Sequence, residues 1–128
     1  MSEIEYLELE DIIMIVRILG IGPIRDVGLL DSAVNRPKSS AFGEDAFATI
    51  SLKTAALLQS MSKNHTLVDG NKRIAWLSTV VFCDLNGMAP QLTDDEAFQL
   101  VYDVASSRLD VEVIAGRLYL EEIERMKS

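Results

Sequence analysis

The stretch from Asn64 to Trp76, NHTLVDGNKRIAW, connects two segments that both have helical patterns of apolar residues. Asp69, Gly70 and Asn71 supply turn and cap chemistry, because short polar side chains bind free backbone N–H groups and glycine tolerates a positive φ. A helix is therefore expected to begin at about Asn71. The rest of the chain is expected to pack around this helix–loop–helix unit.

Two basic residues, Lys72 and Arg73, fall in or beside the first turn of the second helix. The helix macrodipole and the unpaired N–H groups already make that end positive, so basic side chains are normally unfavourable there. A phosphate held by the amides around Gly70 and by the two basic side chains would remove the conflict. The pattern predicts phosphate binding at this helix start.

His65 and Asp69 add chemistry that simple anion binding does not need. His65 is the only histidine in the chain, and an imidazole titrates close enough to neutrality to take a proton from a hydroxyl group. Asp69 offers one carboxylate, which suits Mg²⁺ because that ion keeps several waters and takes other ligands from phosphates. We predict a general base, a Mg²⁺ ligand and a nucleotide-phosphate site on one loop.

Three parts of the chain resemble the Fic/Doc family. The run HTLVDGNKR, from His65 to Arg73, is similar to the family motif, while IRDVGLLDSAVNRP (24–37) and DLNG (84–87) resemble its Doc branch. The likeness extends roughly from Leu7 to Leu118, and the central motif is specific. It implies a compact helical fold that presents one catalytic loop between two central helices.

The resemblance also implies a role for each motif residue. His65 would deprotonate the acceptor hydroxyl, and Asp69 would hold Mg²⁺. Asn71 and the backbone amides around Gly70 would bind phosphate oxygens, and Arg73 would form an ion pair with phosphate.

Lys72 assigns the chain to the Doc branch, since Fic proteins proper have glycine at this position. Gly70, in contrast, is the Fic-like residue where the best-known Doc protein has alanine. Thr66 and Leu67 replace the usual proline and phenylalanine of the motif. Because leucine is the smaller anchor, the expectation is a looser loop and weaker activity.

The implied function is that of a toxin that uses ATP and Mg²⁺ to phosphorylate a Ser or Thr hydroxyl of a protein, by resemblance elongation factor Tu. AMP transfer to a protein hydroxyl is one alternative. A helical binding module with a decayed catalytic loop, suggested by Thr66 and Leu67, is another. The inhibitory pattern of self-restrained Fic proteins is incomplete around Ser40 and Glu44, so a separate antitoxin is expected as a partner.

Composition narrows the other possibilities. The 128 residues carry a net charge of −8 and are 48% hydrophobic, which predicts one soluble domain over residues 1–128. An acidic surface argues against a nucleic-acid partner and a DNA-binding regulator. The acidic start, Met1 to Glu10, lacks a secretion signal, and the apolar run 74–83 is shorter than the about 20 residues of a membrane span. A cytoplasmic protein with no membrane partner is expected, and the lone Cys83 reads as a buried, inert thiol.

The apolar periodicity predicts an all-α fold without a convincing strand pair. Helices are expected near 9–19, from Asp26 to before Pro37, from Phe47 into Asn64, over 71–85, after a Thr93–Glu96 capping box, and from Asp110 to about Ile123. The segment 36–44 is expected to be a loop, which by resemblance forms a flap beside the active site. Arg25 and Asp26 fit either an ion pair or a cap with a solvated arginine. Trp76 is expected in the core rather than under an adenine ring.

Overall fold

The structure, a computed structural model, describes residues 3–123. Over that range the chain forms six α-helices, one short 3₁₀-helix and four short strands. The helices are α1 (Leu9–Leu19), α2 (Val27–Asn35), α3 (Ile50–Lys63), α4 (Asn71–Leu85), α5 (Asp94–Ser106) and α6 (Val111–Leu118), and the 3₁₀-helix is Arg36–Lys38. The all-α prediction is confirmed, because the strands are only two or three residues long.

Several helices begin where local cap chemistry dictates. The Asp26 carboxylate accepts a hydrogen bond from the Leu29 N–H at 2.9 Å, which starts α2. Thr93 and Glu96 form the predicted capping box at the start of α5. Thr49, rather than Phe47, precedes α3, and its hydroxyl accepts from the Leu52 N–H at 3.1 Å. Such caps satisfy N–H groups that the helix itself cannot bond.

Helix α3 forms the centre of the molecule. From Lys53 to Ser62 every residue except Gln59 is buried, and α2, α4, α5 and α6 all pack on this helix. Helix α4 buries only part of its surface, since Lys72 and Arg73 are exposed and Trp76 is only partly buried. Cys83 does lie in the core, and burial raises the pKa of its thiol to about 11, which confirms the prediction of a buried thiol that resists ionisation.

Two small antiparallel strand pairs correct the expectation that no strand pair forms. Strand β1 (Ser40–Ala41) pairs with β2 (Glu44–Asp45), and β3 (Met88–Pro90) pairs with β4 (Leu120–Glu122). The last helix was therefore predicted too long: α6 ends at Leu118, and β4 follows it. Asp110 precedes α6 but its side chain makes no capping hydrogen bond. Backbone pairing across the chain overrides the helical pattern here.

Two expectations concerned the whole chain, namely that it has no membrane span and that its acidic start lacks a secretion signal. Within residues 3–123, no helix combines the length and the apolar character that crossing a membrane requires. Met1 and Ser2, which belong to the acidic start, lie outside the described residues.

Candidate active site

His65 stands at the turn between α3 and the loop that precedes α4. Asn64 ends the helix, and His65 then adopts a left-handed backbone with φ of 41°. The Arg25 guanidinium donates a hydrogen bond from Nη2 to the His65 carbonyl at 2.8 Å. Since a left-handed backbone is unfavourable for residues other than glycine, this contact helps to hold His65 in place. Its imidazole is left exposed to solvent.

The loop is bonded along its length to the segment before α2. The Arg25 N–H donates to the Thr66 carbonyl at 2.7 Å, and the Val68 N–H donates to the Pro23 carbonyl at 2.9 Å. The Gly22 N–H donates to the Asp69 carbonyl at 3.0 Å. Because three successive contacts alternate between the two segments, the loop backbone has little freedom to move.

This arrangement decides between the two interpretations of the Arg25–Asp26 pair. Asp26 caps α2, as the second interpretation expected, and Arg25 binds the His65 carbonyl instead of standing free in solvent. Arg25 is thus a site-supporting residue that sequence reasoning missed. Its position in the segment that resembles the Doc branch was the available signal.

Asn71 closes the loop onto α4. Its amide Nδ2 donates to the Leu67 carbonyl at 2.8 Å, and its Oδ1 accepts from the Leu67 N–H at 2.9 Å. Leu67 itself is fully buried in the core, so it packs the loop onto the core although it is smaller than phenylalanine, and weaker activity stays a prediction. The Asn71 side chain therefore holds the loop together, and its contact with phosphate stays a prediction.

Position 70 requires glycine for two reasons: Ile21 lies close to it, and its backbone is left-handed. It has φ of 95°, and a Cβ built on it would stand 2.7 Å from the Cβ of Ile21. Any side chain at this position would meet the body of Ile21. The first backbone bond of α4 runs from the Ile74 N–H to the Gly70 carbonyl at 2.9 Å, so the N–H groups of 71–73 have no partner within the helix.

All six predicted site residues line one cleft of about 340 Å³. They are His65, Asp69, Gly70, Asn71, Lys72 and Arg73, joined by Ser62, Val68 and Ala105. His65, Asp69, Lys72 and Arg73 are exposed. An imidazole, a carboxylate, two cationic side chains and a helix N-terminus thus converge on one surface, which suits binding of an anionic ligand.

The metal-binding potential of the cleft rests on Asp69. Within residues 3–123, no group of three or more His, Cys, Asp or Glu side chains could hold a metal ion. One carboxylate beside two cationic side chains would fit Mg²⁺ bound together with a phosphate, because that ion completes its shell with water and phosphate oxygens. The donor set therefore suits a metal that arrives with a nucleotide.

Lys63, the basic residue at the end of α3, does not belong to this cationic group. It lies outside the lining of the cleft, and its ammonium donates to the Ser107 carbonyl, which ties α3 to the end of α5. The positive charge of the cleft lining thus comes from Lys72 and Arg73.

A second cleft of about 360 Å³ adjoins the first and shares Lys72 and Arg73 with it. Its other lining residues are Trp76, Asp94, Ala97, Phe98 and Val101. Trp76 packs partly against the core, as predicted, while the indole also lines this cleft. Phe98 is exposed and stacks with Tyr102 at 6.4 Å between ring centroids.

Comparison with known proteins adds to this geometry. Residues 3–83 match the sequence model of the Fic/DOC family. The chain is also 43% identical over 118 residues to Toxin Doc of Mycolicibacterium smegmatis, an alignment that covers 89% of this chain and 91% of that protein.

Proposed function

Because the chain belongs to the Fic/DOC family, we propose that it is a Doc-like toxin that phosphorylates a protein. In this proposal the terminal phosphoryl group of ATP passes to a Ser or Thr hydroxyl, by resemblance on elongation factor Tu, and translation stops. The observation that carries the proposal is the convergence of all six motif residues, five side chains and Gly70, on one cleft at the start of α4.

Each residue has a physical role in the proposed reaction. The exposed His65 imidazole takes the proton of the attacking hydroxyl, and its backbone is held by Arg25. The N–H groups at the start of α4, together with Lys72 and Arg73, bind the phosphate oxygens and stabilise the charge that they carry in the transition state. Asp69 would hold Mg²⁺, which when bound supplies further positive charge to the phosphates.

AMP transfer is the second candidate, and Gly70 is the residue that favours it by resemblance. In this chain, however, Ile21 leaves no room for a side chain at position 70. The packing explains the glycine without reference to the nucleotide, so Gly70 carries little weight for AMP transfer. Lys72, which lines the cleft where Fic proteins proper have glycine, supports phosphoryl transfer.

We further propose a separate antitoxin as the partner that restrains this protein. The name of the relative, Toxin Doc, is consistent with such a pair. The incomplete inhibitory pattern around Ser40 and Glu44 lies in the exposed β1–β2 hairpin and not in a helix. Restraint by a second protein fits this arrangement better than restraint by the chain itself.

The proposal is tested by transfer of a labelled group to purified elongation factor Tu. ATP labelled on either its terminal phosphate or its adenine is mixed with the protein and Mg²⁺, and the product is identified by mass spectrometry. Only the terminal phosphate label is expected in the product. His65→Ala is expected to lower the rate by a factor of about 10² to 10⁴, while Glu112→Ala, an exposed change on α6, serves as the control.

Two outcomes would redirect the interpretation. Adenine in the product would establish AMP transfer instead of phosphoryl transfer. No modification by the folded wild-type protein, together with growth arrest that is identical in wild type and His65→Ala, would favour a binding module with an inactive loop.

A further inference from the structure

Ser62 carries a buried hydroxyl without a hydrogen-bond partner. The residue lies in the last turn of α3, three positions before His65, and is only 2% exposed. Its Oγ is buried and unpaired. A desolvated hydroxyl in that state is unfavourable, because its lost bonds to water are not replaced.

Other buried hydroxyl groups in α3 and α4 do have hydrogen-bond partners. Thr54 donates to the Ile50 carbonyl at 2.7 Å, and Ser78 donates to the Ile74 carbonyl at 2.6 Å. Ser60, two positions from Ser62, donates to the Ala33 carbonyl at 2.9 Å. The usual solution for a serine inside a helix is a bond to the carbonyl four residues earlier, and Ser62 does not make it.

Ser62 lies at the candidate active site. It lines the same cleft as His65, Asp69 and Arg73. Thr66 carries the other buried, unpaired hydroxyl found in residues 3–123, and it lies outside the cleft lining. An unpaired hydroxyl that borders a cleft with a cationic helix start can supply a further hydrogen-bond donor to an anion bound there.

We propose that the Ser62 hydroxyl, which is buried in the ligand-free protein, turns into the cleft when the nucleotide binds and donates a hydrogen bond from Oγ to a non-bridging phosphate oxygen. The inference rests on the proposed function, because it assigns an additional residue to the same nucleotide site. A phosphate is the ligand that the surroundings favour, since Lys72, Arg73 and the free amides of α4 all attract negative charge into this cleft.

The test compares Ser62→Ala with Ser60→Ala in the full-length protein. Affinity for a nonhydrolysable ATP analogue with Mg²⁺ is measured by titration calorimetry, and the stability of the ligand-free protein by thermal unfolding. Ser62→Ala is expected to raise the dissociation constant about tenfold or more, as loss of a hydrogen bond to a charged group does. The same ratio is expected with pyrophosphate and Mg²⁺, which offers phosphate oxygens without a base or ribose.

The thermal stability of the ligand-free protein is expected to fall in the variant that keeps its affinity, Ser60→Ala, and not in Ser62→Ala. Ser62→Ala removes an unpaired group, so the ligand-free midpoint should stay the same or rise. Ser60→Ala breaks the bond to Ala33 and should lower the midpoint while leaving affinity unchanged. A lower midpoint for ligand-free Ser62→Ala would mean that the hydroxyl already has a partner, which overturns the inference.

The remaining outcomes are distinguishable. If wild type binds the analogue and Ser62→Ala binds it equally well, the inference fails and the proposed function stands. If affinity is unchanged but the pH profile of transfer moves, the hydroxyl serves the His65 imidazole and the phosphate contact is wrong. If wild type binds neither the analogue nor pyrophosphate, the proposed function fails and the inference fails with it.

Discussion

Two connections flank α3, and they are held in opposite ways. The loop from Asn64 to Gly70 is bonded to the segment 22–26 on one side and to the Asn71 side chain on the other. The hairpin formed by β1 and β2, residues 40–45, is exposed at every position. Both connections contain a left-handed glycine, but Gly70 of the first packs closely against Ile21, whereas a Cβ added to Gly43 of the hairpin would meet nothing within 4 Å.

The hairpin is linked to the core through one buried lysine. The Lys53 ammonium, on α3, donates to the Asp45 carboxylate at 3.0 Å and to the Phe47 carbonyl at 2.7 Å. Lys53 is 2% exposed, whereas Phe42 at the tip of the hairpin is fully exposed. The hairpin thus has a defined base and a free tip.

The difference fits the two tasks that the proposed function requires. A phosphate site works best when its donors are fixed before the ligand arrives, since no reorganisation is then needed during the reaction. A surface that receives a protein segment benefits from freedom to adapt. The chain places a connection that is hydrogen-bonded along its length at one end of α3 and an exposed hairpin at the other.

The largest effect is expected from filling the crowded glycine of the rigid loop. Gly70→Ala should lower the free energy of unfolding by about 3 kcal/mol, because the new Cβ meets Ile21 and the backbone is left-handed. Urea denaturation measures the loss. Ile21→Ala in the same chain should recover part of it, since it removes the obstructing side chain.

Gly43→Ala in the hairpin is the matched control. Gly43 also has a positive φ, of 81°, but an added Cβ there meets nothing within 4 Å. Only backbone strain remains, so a loss of about 1 kcal/mol is expected. Equal losses at the two glycines would contradict the claim that packing distinguishes the two connections.

A smaller loss of stability, with a large loss of activity, is expected for Asn71→Ala. The change removes both hydrogen bonds to Leu67 and should lower the free energy of unfolding by about 1 to 2 kcal/mol. Phosphoryl transfer should fall by a factor of about 10², because the loop residues no longer hold their positions. Denaturation and labelled-phosphate transfer measure the two effects.

Asn35→Ala offers a comparison on the surface. Its amide bonds to the Asp31 carbonyl and carboxylate of the same helix, so losses of stability below about 0.5 kcal/mol and unchanged transfer are expected. Full activity of folded Asn71→Ala would show that the loop keeps its shape without this side chain.

The smallest change in stability is expected when the base of the hairpin is released. Lys53→Met replaces a buried charge by an apolar side chain of similar length, and the Asp45 carboxylate that loses its partner is 60% exposed and stays hydrated. The free energy of unfolding should therefore change by less than about 1 kcal/mol. The hairpin loses its bonds to α3, and chymotrypsin should therefore cleave at Phe42 faster than in wild type. Cleavage is followed by mass spectrometry under native conditions.

Lys38→Met is the control for that experiment, since Lys38 is exposed, makes a long ion pair of 4.0 Å with Glu8 and, like Lys53, places its ammonium 5.9 Å from the Tyr6 ring centroid. Its cleavage rate should match that of wild type. Unchanged cleavage in Lys53→Met would mean that the hairpin is held by contacts other than Lys53.

The amino-acid sequence by itself determined the helices and the candidate site residues. Helices α1 and α4 have the predicted bounds, because apolar spacing and helix-ending residues act within a few positions of one another. The six candidate residues lie within the nine positions from His65 to Arg73. The loop and the first turn of α4 therefore carry them together, and the resemblance to a known motif could identify them.

Only the tertiary structure decided how that loop is fixed in place and which distant residues contact it. Arg25 contacts His65 across 40 positions of sequence, and Ile21 makes Gly70 obligatory through close packing. Strands β3 and β4 pair from distant parts of the chain, and they are too short to show an alternating pattern. These features depend on which surfaces meet when the helices pack around α3. Since that choice is made by long-range contacts, no local pattern of residues encodes it.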